Sequence, residues 1–83
     1  MAKKSIKKNV YSYTAIFEPA EEGGYCAYIP SLPGCYTQGD TFEEAEAMAK
    51  EVIELYLESL RDLKEEIPIE SERMIVSKIP VSL

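Results

Sequence analysis

Carboxylates are the most abundant groups in this chain that could do chemistry. Its 83 residues include 15 Asp and Glu and no histidine. Without histidine the chain lacks the commonest general base, any Ser–His or Cys–His pair and the commonest metal ligand. A magnesium-dependent nuclease site would need carboxylates from strands and a helix, converging on two metal ions ~4 Å apart. The candidates for such a site are Glu18, Asp40 and either Glu44 or Glu51.

The strand that precedes these acids argues against a two-metal site. Nucleases of the ribonuclease H type carry an acid in the middle of their first strand, whereas the middle of the first predicted strand here reads Tyr13, Thr14 and Ala15. Helix capping and solvation account better for Asp40 and the acids that follow it. We therefore expect no catalytic residue, no metal ligand and no cofactor, and we expect that the protein is not an enzyme.

The two cysteines, Cys26 and Cys35, are too few for a disulfide framework and lack metal-ligand spacing. Neither has a neighbouring cation or helix N-terminus in the predicted fold that would activate a thiol. We expect reduced thiols in a cytoplasmic protein, with a Cys26–Cys35 bridge as the less favoured alternative.

Charge is unevenly distributed along the chain. The 9 basic and 15 acidic residues give a net charge of −6, and four of the basic residues are Lys3, Lys4, Lys7 and Lys8. From Asn9 onward 5 basic residues therefore face 15 acidic ones, a net charge of −10. Such a domain repels nucleic acid and attracts a basic partner, although simple solubility is the plainer alternative. We expect residues 1–9 to form a flexible basic tail, and its contact with phosphates is the less favoured interpretation.

The basic start is followed by no apolar run, and no stretch approaches the ~20 apolar residues of a membrane span, so we expect neither a signal peptide nor a membrane protein. A single domain of this length buries only ~60% of the surface that its unfolded chain exposes. Because self-association would relieve so thin a core, we expect a homo-oligomer, either a dimer or a tetramer.

Alternating apolar residues and turn signals predict an antiparallel meander of three strands. The strands are expected at Val10–Pro19, Tyr25–Pro30 and Cys35–Gln38. Glycines in the turn at 21–24 and the Pro-Gly pair in the turn at Ser31–Gly34 separate them.

A helix is predicted to follow from Phe42 to about Lys64, and Pro68 prevents its continuation. Thr41 and Glu44 have capping-box spacing, in which each side chain accepts a hydrogen bond from the other residue's backbone N–H. The predicted apolar stripe consists of Phe42, Ala45, Ala49, Val52, Tyr56, Leu60 and Leu63, with Met48, Ile53 and Leu57 beside it.

The segment Arg73–Leu83 is predicted to be a fourth strand that returns parallel to the first. The expected fold is therefore α+β, with the order β-β-β-α-β in a single domain at residues 10–83. One long helix covers one face of the sheet, and the other face must be covered by something else or be mostly polar.

One continuous motif gives the chain a family resemblance. The stretch from Tyr13 to Leu60 resembles the HicB family, in which Glu-Glu-Gly-Gly-Tyr is followed by S-L-P-G-C-x-T-x-G-D-T-x-E-E-A. The residues that carry the resemblance are Gly24, Tyr25, Pro30, Leu32, Pro33, Gly34, Cys35, Gly39, Asp40, Thr41, Glu44 and Ala45.

The resemblance implies an antitoxin that binds and neutralises HicA, a small basic ribonuclease with a double-stranded-RNA-binding-like fold. It also implies that the domain is a partial ribonuclease H fold. Many family members carry a C-terminal DNA-binding domain, but this chain stops at Leu83, so we do not expect DNA binding.

The residues expected to contact a toxin are the exposed tyrosines Tyr28 and Tyr36 and the acidic helix face formed by Glu43, Glu54 and Glu58. Two alternative functions stay open at this point. One is a stand-alone oligomeric module without a toxin, and the less favoured one is the magnesium-dependent nuclease.

Overall fold

A computed structural model describes residues 11–70 and 74–83 of the chain. Three short strands precede one long helix, and the bounds of these elements are β1 at Ile16–Pro19, β2 at Tyr25–Tyr28, β3 at Tyr36–Gly39 and α1 at Phe42–Asp62. The α+β class and the order of these four elements confirm the prediction. The predicted basic tail at residues 1–9, the first residue of the first predicted strand and the first residue of the predicted fourth strand lie outside the described residues.

The three strands form an antiparallel sheet in the order β1-β2-β3. β1 is much shorter than predicted because its partner ends early. Ile16 pairs with Tyr28 at the end of β2, and at the next residue the N–H of Ile29 turns away to the carbonyl of Cys35. β3 begins one residue later than predicted, because the Cys35 N–H is bonded to Leu32 within the turn.

The predicted fourth strand is wrong for the residues that the structure describes. Residues 74–83 form no strand, and every one of them is exposed. Strand structure requires a neighbouring strand for its backbone hydrogen bonds, and the described sheet contains only β1, β2 and β3. The alternating sequence pattern is typical of a strand, but within the described part of the chain this segment pairs with no other strand.

Local sequence fixes the start of α1 largely as expected. The Thr41 hydroxyl accepts a hydrogen bond from the Glu44 N–H at 3.0 Å, which is one half of the predicted capping box. The other half differs, since the Glu44 carboxylate accepts from the N–H of Asp40 rather than that of Thr41. Two donors are still satisfied at the helix N-terminus, one of them a residue earlier in the chain than predicted.

α1 ends at Asp62, two residues before the predicted end. Lys64 has a positive φ of 60°, and its N–H and that of Glu65 reach back to the carbonyls of Arg61 and Leu60. This pair of bonds is the Schellman arrangement, in which a left-handed residue usually supplied by glycine closes the helix.

The core lies under α1 and is built largely by the turn between β2 and β3. Ile29, Leu32 and Cys35 are buried together, and burial raises the pKa of the Cys35 thiol. The helix residues packed against this cluster are Val52, Ile53, Tyr56 and Leu57. The apolar stripe of the helix is thus confirmed in its middle, whereas its last member, Leu63, is exposed.

Two glycines allow the helix and the first hairpin to approach β3 closely. A methyl group on Gly39 would lie 2.5 Å from the backbone nitrogen of Ala45, so glycine permits direct contact between β3 and α1. Gly24 has a φ of 78°, and a methyl group there would collide with the carbonyl oxygen of Gly39. Ala45 and Ala49, the fully buried helix residues, are small for the same reason.

Candidate partner-binding surfaces

The face of the sheet that α1 does not cover is the first candidate surface. Phe17 and Tyr25 contact the ring of Phe42 at the start of α1, and Ala27, which pairs with Phe17 in the register, is fully buried. Since side chains alternate along a strand, the remaining strand residues point away from the helix. We call this surface the outer sheet face, and it consists of Ile16, Glu18, Cys26, Tyr28, Tyr36 and Gln38.

Two exposed tyrosines form the centre of the outer sheet face. Tyr28 and Tyr36 are paired in the register of β2 and β3, and they are 43% and 66% exposed. They border an open depression of 400 Å³ together with Cys26 and Gln38. The negative charge of Glu18 on β1 raises the pKa of the Tyr28 phenol.

The acidic helix face was predicted as one patch, and its three acids are spread along α1. Glu54 and Glu58 both border a depression of 380 Å³ that also contacts Tyr11 and Arg61. Glu43 lies in the first turn of α1, 11 residues and about 16 Å along the axis before Glu54. Only Glu54 and Glu58 are therefore brought together.

The predicted tyrosines and the predicted acids lie on opposite sides of the molecule. Tyr28 and Tyr36 belong to the outer sheet face, whereas Glu54 and Glu58 belong to the helix that covers the inner face. The outer sheet face carries its own acid in Glu18, so it combines aromatic area and negative charge without the helix.

The acids considered for a metal site are also separated. Asp40 and Glu44 both line a depression of 570 Å³ beside the first hairpin, but Glu18 and Glu51 are not among its lining residues. The Glu44 carboxylate is already hydrogen-bonded to the Asp40 N–H. Within the described part of the chain, no group of three or more acids or cysteines is placed to hold a metal ion.

A polar cluster that the sequence did not indicate joins the two ends of the fold. The Glu70 carboxylate accepts hydrogen bonds from the N–H and hydroxyl of Thr14 and from the hydroxyl of Ser31. These bonds, led by those of Thr14, lower the pKa of Glu70. No spacing rule relates residues so far apart, so only the folded chain reveals the cluster.

The cysteines are both free thiols, as expected. Cys35 is buried in the core, whereas Cys26 lies half-buried on the outer sheet face.

The described fold defines a small α+β protein whose prominent surface features are a tyrosine-bearing sheet face and an acidic helix. The chain belongs to the family described as the HicB-like antitoxin of bacterial toxin-antitoxin systems, which matches residues 13–79.

Individual relatives agree with this assignment. A UPF0150 protein of Synechocystis sp. is 46% identical over 74 residues, which is 89% of this chain and 91% of that protein. A UPF0150 protein of Thermoplasma acidophilum is 48% identical over 56 residues, covering 68% of this chain and 81% of the relative. Antitoxin HicB 1 of Photorhabdus laumondii is 42% identical over 64 residues, 77% of this chain but only 41% of that longer protein. Within residues 11–70 and 74–83 we find no helix with the length and apolarity that a membrane crossing requires.

Proposed function

We propose that this chain neutralises a small basic toxin of the HicA type by direct protein–protein contact in the cytoplasm. The observation that carries the proposal is the outer sheet face, on which the exposed pair Tyr28 and Tyr36 lies beside Glu18. Family membership supports an antitoxin role in general. We also propose that the domain is a partial ribonuclease H fold.

The chemistry of the outer sheet face suits a basic protein. Tyrosine rings supply large apolar area at low cost in side-chain entropy and attract arginine or lysine through their faces. The carboxylate of Glu18 adds a charge of the sign that a basic surface requires. The acidic body, with its net charge of −10 from Asn9 onward, would speed the approach of such a partner.

The experiment is coexpression with the small basic protein encoded by the adjacent reading frame. We expect affinity copurification of the two proteins and rescue of growth from the toxicity of the basic protein. Recovery of no complex together with no rescue would contradict the proposal.

Substitutions separate the two candidate surfaces. Tyr28→Ala with Tyr36→Ala should weaken the complex by at least about 100-fold if the outer sheet face holds the partner. Leu55→Ala, at an exposed residue of α1 that borders neither depression, is the control and should leave affinity unchanged. Glu54→Lys with Glu58→Lys should chiefly slow association and flatten its salt dependence, since exposed charges act through steering. An unchanged rate would show that this helix face is only solvated.

A stand-alone module without a toxin is the second candidate. The observation that favours it is the coverage of relatives: the chain spans 91% of a UPF0150 protein, which is not named an antitoxin, but only 41% of the relative that is. The adjacent reading frame distinguishes the two candidates, because the second one predicts no small basic protein beside this gene.

A further inference from the structure

The segment at residues 74–83 is an apolar stretch of chain left in water. Ile75 is 88% exposed, Val76 65%, Ile79 74% and Val81 82%. Soluble proteins seldom leave a contiguous apolar segment exposed unless it contacts a partner. We therefore expect a partner to cover these apolar side chains, because the described residues of the same chain leave them exposed.

Residues 74–79 have the composition of a strand. Their sequence, MIVSKI, is rich in β-branched residues and contains no proline, so every backbone N–H can donate to a ladder. Ile75 and Ile79 fall on one side, and Met74 and Val76 fall on the other. Pro80 lacks an N–H and marks the end of the stretch that can pair continuously.

The described sheet offers an edge to receive such a strand. β1 is the first strand in the order β1-β2-β3, so one of its sides has no strand partner among the described residues. An open edge of this kind is a template for a strand from another chain. Four paired residues of β1 span about 13 Å, which six extended residues exceed.

Glu70, the last described residue before the segment, lies next to this edge. Glu70 is hydrogen-bonded to the backbone N–H of Thr14, two residues before β1 begins. Glu70, four residues before the donor segment, is thus held beside the receiving edge of its own chain. Two copies can then form two identical contacts around one two-fold axis, because each copy has both a donor segment and a receiving edge.

Charge favours a second copy over a basic partner. Lys78 is the one charged residue in the sequence from 74 to 83, whereas the chain as a whole has a net charge of −6. A segment with a single positive charge is compatible with the acidic body of another copy. A basic protein would gain no attraction from it.

We propose that residues 74–79 of one copy pair as a fourth strand with β1 of a second copy, and that two copies exchange these segments symmetrically. The predicted fourth strand would then exist in the dimer, with its partner in the other subunit. This inference does not depend on a toxin, since it concerns only copies of this chain.

Sedimentation equilibrium of the full chain tests the proposal. We expect a dimer, and we expect Ile75→Asp to weaken association by at least about 100-fold, because both copies lose a buried isoleucine. Ser82→Asp adds the same charge beyond Pro80 and should change the dissociation constant by less than about threefold. A monomeric full chain, or a dimer that Ile75→Asp leaves intact, would overturn the proposal.

Two further measurements make the result specific. Helical circular dichroism should be unchanged in Ile75→Asp, since α1 does not depend on the exchanged segment; loss of helix would mean that the segment packs within its own chain and would contradict the exchange. Hydrogen exchange should show the β1 amides protected in the full chain and unprotected in the variant. Protection that changes at β3 instead would overturn the assignment of the receiving edge.

Discussion

Glu70 accepts a hydrogen bond of 2.9 Å from the backbone N–H of Thr14, a residue 56 positions earlier in the chain. The same carboxylate binds the hydroxyls of Thr14 and Ser31. Together these bonds hold the segment that follows the helix against the entry to β1 and against the turn that builds the core. A single acid thus joins three parts of the chain that lie far apart in sequence.

Stability should therefore depend on the ionisation of Glu70. The hydrogen bonds from Thr14 and Ser31 lower the pKa of Glu70 in the folded chain. As the pH falls, the Glu70 carboxylate is therefore protonated in the unfolded chain before it is protonated in the folded chain. The stabilisation is present above the ordinary pKa of glutamate and is lost as the pH falls through the lowered value. Glu70→Gln should be less stable near neutral pH, and urea denaturation across acidic pH should give a flatter curve. Glu66→Gln, at an exposed acid nearby, is the control; parallel curves for the two variants would contradict this role.

Leu32 should be the most sensitive core position. It is completely buried, between Ile29 and Cys35, in the turn that the helix covers. We expect Leu32→Ala to lower the free energy of unfolding by about 2–5 kcal/mol, measured by urea denaturation. Leu55→Ala, at a residue of α1 that is 60% exposed, should cost less than about 1 kcal/mol. Equal losses at the two positions would argue against a core centred on the turn.

Gly39→Ala should separate β3 from α1. The added methyl group would lie 2.5 Å from the nitrogen and 2.8 Å from the Cα of Ala45, and backbone atoms cannot yield as a flexible side chain can. Overpacking of this kind costs about 1–3 kcal/mol, and thermal denaturation monitored at the helical signal should show the loss. Ala47→Ser, an exposed change in the first half of α1, should leave the transition nearly in place. A stable Gly39→Ala variant would mean that β3 and α1 are farther apart than described.

Lys64→Gly should stabilise the protein, which is an unusual direction for a glycine substitution. Lys64 has a φ of 60° at the end of α1, a conformation that glycine adopts without steric cost. We expect a gain of up to about 1 kcal/mol in the free energy of unfolding, reduced by the extra freedom of glycine in the unfolded chain. Lys50→Gly, within α1, should have the opposite effect and cost about 1 kcal/mol. Destabilisation by both substitutions would contradict the left-handed helix end.

Local patterns in the sequence determined much of this fold. Thr41 and Glu44 indicated where the helix begins because capping depends on residues only three positions apart. The alternation of apolar residues and the glycines and prolines between them indicated three strands for the same reason. The continuous motif from Gly24 to Ala45 indicated the family, which the match over residues 13–79 confirms.

Contacts between distant residues were decided by the tertiary structure alone. The length of β1 follows from where β2 ends. Residues 74–83 form no strand, because a strand-like sequence pattern still requires a neighbouring strand to pair with. The Glu70 cluster and the separation of Tyr28 and Tyr36 from Glu54 and Glu58 depend on how the sheet and helix pack. A sequence records the capacity of each segment to pair, cap or bury; which partner each segment meets is set by the three-dimensional arrangement of the whole chain.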